Sequence, residues 1–336
     1  MNNIARSGAL QGFSELAKDL CVDEDALLQK ANIRREQIEN EDDLIALESV
    51  IGLLEATAEA SGCGHVGLLL ARKQKPDFMG LVGVLMESSP NLNWVLKEAM
   101  SFFRIHAQGV DWEVTMDEKL VLWSISFDVP ASVPHLQCTE LGMGQAYSLL
   151  RNLSGNQWRP QRICLRRKKP SNAGFYEQYF KAPVEFNAEK DGLLFHRRDL
   201  DLPVSEHDSR IYQALSEYAL LLSSQYQQDL PAKVRRLIRK LLPESKCSIE
   251  AVALCLNCDK RTLQRNLKKE GSSYQKLLDE VRHTMAAEYL KNSSISLAGI
   301  ASMLGYDEFS SFSRAFKKHF GISPSNWRKQ HAADAD

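Results

Sequence analysis

At 336 residues the chain exceeds one ordinary domain, so two domains are expected. Its 44% hydrophobic and 25% charged residues and its formal net charge of −1 exclude a disordered or fibrous polymer. No apolar run reaches the ~18–20 residues of a membrane-crossing helix, and the first residues lack the basic segment and apolar core of a signal peptide, so a cytoplasmic protein with no membrane partner is expected.

Residues 1–60 are acidic and helical in pattern, with Leu10, Phe13, Leu16, Leu20, Leu27, Ile38, Leu44, Leu47, Ile51 and Leu54 at helix-like intervals. From about Ser61 short apolar runs at 66–70, 81–86, 110–114, 120–127 and 162–165 read as strands. They alternate with helical stretches at 92–106, 139–153 and 174–180. Asp117 to Lys119 and Asn187 to Gly192 each separate two apolar runs and read as hairpin turns. This part is expected to be a mixed α/β domain rather than an all-β barrel.

Its histidines show no H-x-x-x-H or H-E-x-x-H spacing, and neither G-x-S-x-G nor a phosphate-binding glycine loop occurs. No catalytic residue, metal ligand or cofactor is therefore expected. Phe78, Met86, Trp94, Phe102, Phe103, Trp112, Trp123, Phe127, Met143 and Tyr147 read first as core, part of which can line an apolar ligand cavity. The basic cluster Arg162, Arg166, Arg167, Lys168 and Lys169 reads as charge protecting a sheet edge, ahead of contact with phosphates or an anionic effector. An amphipathic helix at 209–228, with Ile211, Ala214, Leu215, Tyr218, Leu221 and Leu222, packs on its own domain or pairs with a second chain, and Asp229 to Pro231 marks a domain boundary. The expected division is 1–205, a linker helix at 206–230, and 231–331.

The last hundred residues carry one pattern twice. Ala253, Leu256 and Asp259 precede an apolar pair, Leu263 and Leu267, and the lysines Lys268 and Lys269; Ala301, Leu304 and Asp307 precede Phe312 and Phe316, then Lys317 and Lys318. Each copy reads as a half-helix with a small alanine, a turn ending in a capping Asp, and a second helix, over about 249–270 and 297–319. With the apolar pairs inward, Lys260, Arg261, Gln264, Arg265 and Lys268 face outward in the first copy; Ser310, Ser313, Arg314 and Lys317 face outward or lie along the flank in the second. Arg and Gln suit base edges, and Lys suits phosphates. A helix at 274–291 spans about 27 Å between the copies, near the ~34 Å turn of B-DNA that separates two docked recognition helices. Gly321 ends the last copy, and Ser323 and Pro324 start a short helix carrying Trp327.

From Pro231 to His331 there are 19 Lys and Arg against 9 Asp and Glu, a balance of +10, which leaves −11 for the rest. One basic end on a near-neutral chain is an electrostatic footprint for double-stranded DNA. The seven cysteines are scattered and odd in number, as reduced thiols are. Cys255 and Cys258 form a lone C-x-x-C that reads as core filler, since a zinc site needs two more ligands.

Residues 261–265 and the run from Phe312 to Pro324 resemble the AraC/XylS family of bacterial transcription regulators. By position, the family's base-reading residues fall on Arg261, Gln264 and Arg265, and near Phe309, Ser310, Ser311 and Arg314. Upstream, Gly80–Gly83, Ser88–Ala99, Phe175–Phe186 and Leu193–Pro203 resemble the arabinose-binding-type N-terminal domain of a subgroup that includes ornithine-utilisation-type regulators. The resemblance implies effector sensing, dimerisation, or both. The expectation is an activator that binds promoter DNA, contacts RNA polymerase, answers to an unidentified small molecule and forms a homodimer. The alternative is a ligand-independent regulator or architectural protein whose N-terminal domain only dimerises or contacts polymerase.

Overall fold

The structure is a computed structural model describing residues 3–129, 133–205, 207–225, 230–243, 247–256, 258–292 and 295–332. The described residues form two compact units, one ending at Gln225 and one beginning at Leu230. Asp229, within the expected boundary, and Glu206, at the start of the expected linker, lie outside the described residues. That linker is two elements: the helix at 209–225 packs on the first core, and a second helix starts at Leu230.

In chain order the first unit contains β1 (Ile4–Arg6), α1 (Phe13–Asp19), α2 (Glu24–Lys30), α3 (Arg35–Glu39), β2 (Leu44–Ala46), α4 (Leu47–Ser61), α5 (Val66–Lys73), α6 (Leu81–Glu87) and α7 (Leu92–His106). Then follow β3 (Val110–Met116), β4 (Leu120–Phe127), α8 (Leu136–Leu153), β5 (Arg162–Leu165), α9 (Ala173–Phe180), β6 (Val184–Phe186), β7 (Asp191–His196) and α10 (Ser209–Gln225). The unit is mixed α/β, as its sequence implies. Among the described residues, no helix is long and apolar enough to cross a membrane.

Strands β3-β4-β7-β5-β6 form one sheet, antiparallel except for β5–β6. Alternation along β4 sends Val121, Trp123 and Ile125 into the core. The β3–β4 hairpin at Asp117 is as expected; the Asp117 carboxylate accepts from the backbone N–H of Lys119 and Leu120. The second expected hairpin does not form. Strand β5 lies between β6 and β7, pairing Ile163 with Val184 on one side and with Leu193 on the other. Two expected strands are also helices, α5 and α6. A short apolar run buried all round has no alternation to separate helix from strand. In α5, Gly67 lies so near α8 that a Cβ there would sit 1.9 Å from the carbonyl oxygen of Gln137. Only glycine permits that approach, and it brings α5 against the helix that also packs on the sheet.

The basic cluster does not guard an edge, because β5 has neighbours on both sides. Arg162 pairs at the surface with Glu185 at 2.7 Å. Arg167 turns inward to the buried Glu140 carboxylate, the Tyr176 hydroxyl and the carbonyl of Gly64. On α10 Ala219 is buried and Tyr212, Leu215 and Leu222 are half-buried against the first core, while Ile211, Tyr218 and Leu221 are exposed.

The second unit is helical: α11 (Leu230–Leu241), α12 (Ile249–Cys255), α13 (Lys260–Lys269), α14 (Tyr274–Asn292), α15 (Leu297–Met303), α16 (Phe309–Phe320) and α17 (Pro324–Ala332). Leu277, Leu278, Val281, Met285 and Leu290 bury one side of α14 between the two motifs. Gly321 takes the left-handed conformation after α16, and Ser323 accepts from the backbone N–H of Asn326 at the start of α17.

Candidate nucleic-acid interface

The first motif is α12–turn–α13. The Ser248 hydroxyl accepts from the Ala251 N–H at 3.1 Å and starts α12. Cys258 closes the turn by donating to the Ala253 carbonyl at 3.0 Å. Asp259 then caps α13: Oδ1 accepts from the Thr262 N–H at 2.9 Å and Oδ2 from its hydroxyl at 2.8 Å. Those bonds, the backbone one first, hold the Asp259 carboxyl below its ordinary range. Val252, Ala253, Leu263 and Leu267 are buried. The small Ala253 leaves room for α13 to cross α12 closely.

Inward burial of Leu263 and Leu267 fixes what points out. Arg261, Gln264, Arg265 and Lys268 are all exposed, at i, i+3, i+4 and i+7, and so form one stripe along α13. Lys260, also exposed, is turned to the flank by an ion pair with Glu250 of α12 at 2.8 Å.

The second motif repeats this with one residue inserted. Ser296 starts α15 by accepting from the Gly299 N–H at 3.1 Å, and Tyr306 closes the turn on the Ala301 carbonyl at 3.0 Å. The helix begins one residue later than expected: Glu308, not Asp307, occupies the N-cap, and no side chain caps α16. The first helices of the two motifs therefore match at an offset of 48, the second helices at 49. Phe312 and Phe316 take the buried places of Leu263 and Leu267.

At that offset the α13 stripe maps onto Ser310, Ser313, Arg314 and Lys317. Ser310, Arg314 and Lys317 are exposed and Ser313 is half-buried. Phe309, in register with Lys260, is 41% exposed; Ser311, in register with Thr262, is half-buried off the stripe. The two stripes thus differ in chemistry. The first carries Arg, Gln, Arg and Lys; the second offers two hydroxyls before its Arg and Lys.

Several positioning contacts escape motif reading. Arg282 of α14 donates to the carbonyls of Leu304 and Gly305 and stacks on Tyr306, with its guanidinium 4.4 Å from the ring centre. Gly305 has φ +68, and a Cβ there would stand 3.2 Å from Arg282 Nη2. Arg328 of α17 donates to the Ile295 carbonyl at 2.7 Å. His283 of α14 stacks on His319 of α16 with ring centres 3.9 Å apart; burial and then His319 push the His283 imidazole down. Cys255 is exposed and Cys258 half-buried, so the first does not fill a core as expected. No three His, Cys, Asp or Glu side chains converge to hold a metal among the described residues.

Residues 22–204 match the arabinose-binding domain of AraC transcription regulators, and residues 252–330 match a helix-turn-helix domain. The HTH-type transcriptional regulator VirS of Mycobacterium tuberculosis is 29% identical over 333 residues, 98% of this chain and 97% of that protein. The Ornithine utilization regulator of Pseudomonas aeruginosa is 26% identical over 321 residues, 95% of this chain and 94% of that protein. The crystal structure of the transcriptional regulator CdpR from Pseudomonas aeruginosa aligns over 94% of this chain and 98% of that one, at 21% identity and a TM-score of 0.44.

Proposed function

We propose, for a chain that belongs to the family of AraC transcription regulators with an arabinose-binding-type N-terminal domain, that it is an activator whose second unit reads a promoter with α13 and α16 and whose first unit senses a small molecule. Its being a DNA-binding transcription regulator rather than an enzyme follows from the family; the reading residues, the activation and the effector are the proposal. The supporting observation is the pair of stripes. Two helices, each anchored by a buried apolar pair four residues apart, carry the same i, i+3, i+4, i+7 positions on one face, all of them exposed except the half-buried Ser313. That is the side-chain set a helix offers to a major groove. Arg261, Gln264 and Arg265 are assigned to bases in one segment, with Lys268 on phosphate. Ser310, Ser313 and Arg314 are assigned to the next segment, with Lys317 on phosphate and Phe309 and Ser311 at its margin. Contact with RNA polymerase and homodimer formation belong to the same proposal.

The test is binding of the whole protein to its own upstream promoter region against random duplex, across a salt series. If about six phosphates are neutralised, log affinity should fall against log salt with a slope of about −5. Protection should span two adjacent major-groove segments. A flat salt response, or protection of one segment only, overturns the two-stripe reading. Transcription with purified polymerase, with and without candidate metabolites, then separates a sensor from a ligand-independent regulator.

A further inference from the structure

Among the described residues of the second unit, two large apolar side chains are left exposed, Leu254 at 77% and Phe309 at 41%. Leu254 lies on α12, the first helix of its motif, whereas Phe309 is the opening residue of α16. The N-terminal turn of a recognition helix is the part that meets base edges. In the first motif the same register holds Lys260, which Glu250 draws to the flank. Phe309 puts an apolar face where the sister helix has a cation.

The ring is held in place. Its centre lies 6.1 Å from that of Phe312, at an interplanar angle of 55°, within the range at which aromatic pairs attract. Phe312 in turn stands 5.7 Å from Tyr306 and 5.8 Å from Phe316, between ring centres. Phe309 is thus the outer end of a row of rings whose inner members, Phe312 and Phe316, are both 1% exposed.

The residues on either side of Phe309 offer little to an anion. Glu308 is exposed, and its carboxylate caps no backbone N–H. The hydroxyl of Ser310 already donates to Glu308 Oε2 at 3.0 Å. A phosphate brought here would meet a negative charge and a phenyl ring. A guanine edge would set its O6 and N7 acceptors against the carboxylate.

We infer that Phe309 reads the C5-methyl group of a thymine in the segment that α16 enters. The inference rests on the promoter reading proposed above and assigns one base feature to one residue. In the major groove the thymine methyl is the apolar group among the hydrogen-bonding edges of the four bases. Laying the exposed face of Phe309 on it takes apolar area of both partners out of water. An aromatic ring can instead be driven between base steps, but the contact with Phe312 keeps this one against its own helix. Arg314 then grips a base edge by hydrogen bonds, and Phe309 adds a contact that hydrogen bonds cannot supply.

The experiment uses the full-length protein on its own promoter duplex. Footprinting locates the protected segments, and the one weakened by Arg314→Ala is that of α16. Each thymine of that segment is then replaced singly by deoxyuridine, which removes the methyl group and leaves the hydrogen-bonding pattern intact. At least one replacement should weaken wild-type binding by about 4-fold, the scale of one buried methyl. In Phe309→Ala the thymine and uracil duplexes should bind equally, and Phe309→Leu should keep part of the difference. Thermal melting checks that both variants fold. The contact is overturned by a segment without thymine, by the absence of any uracil effect there, or by an unchanged thymine-to-uracil ratio in Phe309→Ala. Protection of the α13 segment alone overturns the two-stripe reading and this contact with it. Protection of both segments without a uracil effect overturns the contact and leaves that reading standing.

Discussion

Arg282 Nη2 lies 2.7 Å from the carbonyl oxygen of Gly305, and the same guanidinium donates through Nε to Leu304 at 2.8 Å. These carbonyls end α15, where helix geometry leaves backbone acceptors without intrahelical partners. A side chain from the connecting helix α14 satisfies them. Its flat guanidinium also covers Tyr306, so the turn of the second motif is held to the core from three directions. In the first motif, among the described residues, Cys258 bonds back to the Ala253 carbonyl and Asp259 caps α13.

Arg282→Ala should therefore loosen the second motif and spare the first. Two charge-assisted hydrogen bonds to a half-buried turn suggest a loss of about 2 kcal/mol in unfolding free energy. Arg282→Lys restores the charge without the planar fork and should recover less than half of this. Footprinting should show protection retained over the segment read by α13 and weakened over that read by α16. Equal weakening of both segments would place Arg282 in the general stability of the unit.

The helix-turn-helix repeat was legible because two things recur at fixed intervals: the buried pairs Leu263/Leu267 and Phe312/Phe316, and the small residues Ala253 and Ala301. Periodicity reports burial, and burial sets the outward face. What it does not report is the extra residue of the second turn, since Asp307 resembles a cap as closely as Asp259 does. Arg282 was hidden for a different reason: its partners are backbone carbonyls 22 and 23 residues away, which leave no trace in side-chain pattern. In the first unit, α5 and α6 passed for strands because they are apolar on more than one face. The crossing of β5 between β6 and β7 is a long-range pairing that no local turn signal encodes.

Arg167 is where a surface-looking basic cluster reaches the core. Its guanidinium is the cationic partner of Glu140, whose side chain is 1% exposed and whose carboxyl is pushed up to about 7 by burial against the pull of Arg167 and Tyr176. Arg167→Ala should cost about 3–5 kcal/mol, the scale for stranding one member of a buried pair. Lowering the pH should recover part of the loss, as Glu140 then takes a proton. Adding Glu140→Gln to Arg167→Ala should restore part of it at pH 7, measured by urea unfolding. Arg166→Ala, on the exposed side of the same cluster, should change stability by less than ~0.5 kcal/mol.

His106 sets a pH dependence. It is buried beside Phe78 and Phe103, and burial first, then Arg6, pushes its imidazole down to about 3. A depressed imidazole contributes stability that is complete above the unfolded value of ~6.5 and is lost as pH falls towards the folded value. Between pH 7 and 5 the loss from this residue should be roughly 2 kcal/mol. Glu140, raised by burial, works in the opposite sense over that range, so the wild-type profile alone does not isolate either. The comparison that does is His106→Phe against wild type. The variant should gain roughly 2 kcal/mol relative to wild type on going from pH 7 to 5. A difference that stays constant with pH would show that His106 does not remain neutral in the fold.

The two stripes should fail differently when cut. On α13, Gln264→Ala and Arg265→Ala should each cost about 1–3 kcal/mol on the promoter site and little on random DNA, because bidentate base contacts exist only at the right sequence. Lys268→Ala should weaken both nearly equally and reduce the salt slope by about one unit. On α16 the hydroxyls of Ser310 and Ser313 are short, and Ser310 already donates to Glu308 at 3.0 Å. Arg314 is the one long donor on that stripe able to grip a base edge from two atoms. Arg314→Ala should therefore cost more than Ser310→Ala and Ser313→Ala together, and should relax preference only in the segment that α16 reads. Competition binding of these variants on promoter and scrambled duplexes, at matched salt, measures each ratio. Uniform losses from Gln264, Arg265 and Lys268 on every duplex would mean that α13 grips the backbone and that sequence is read elsewhere.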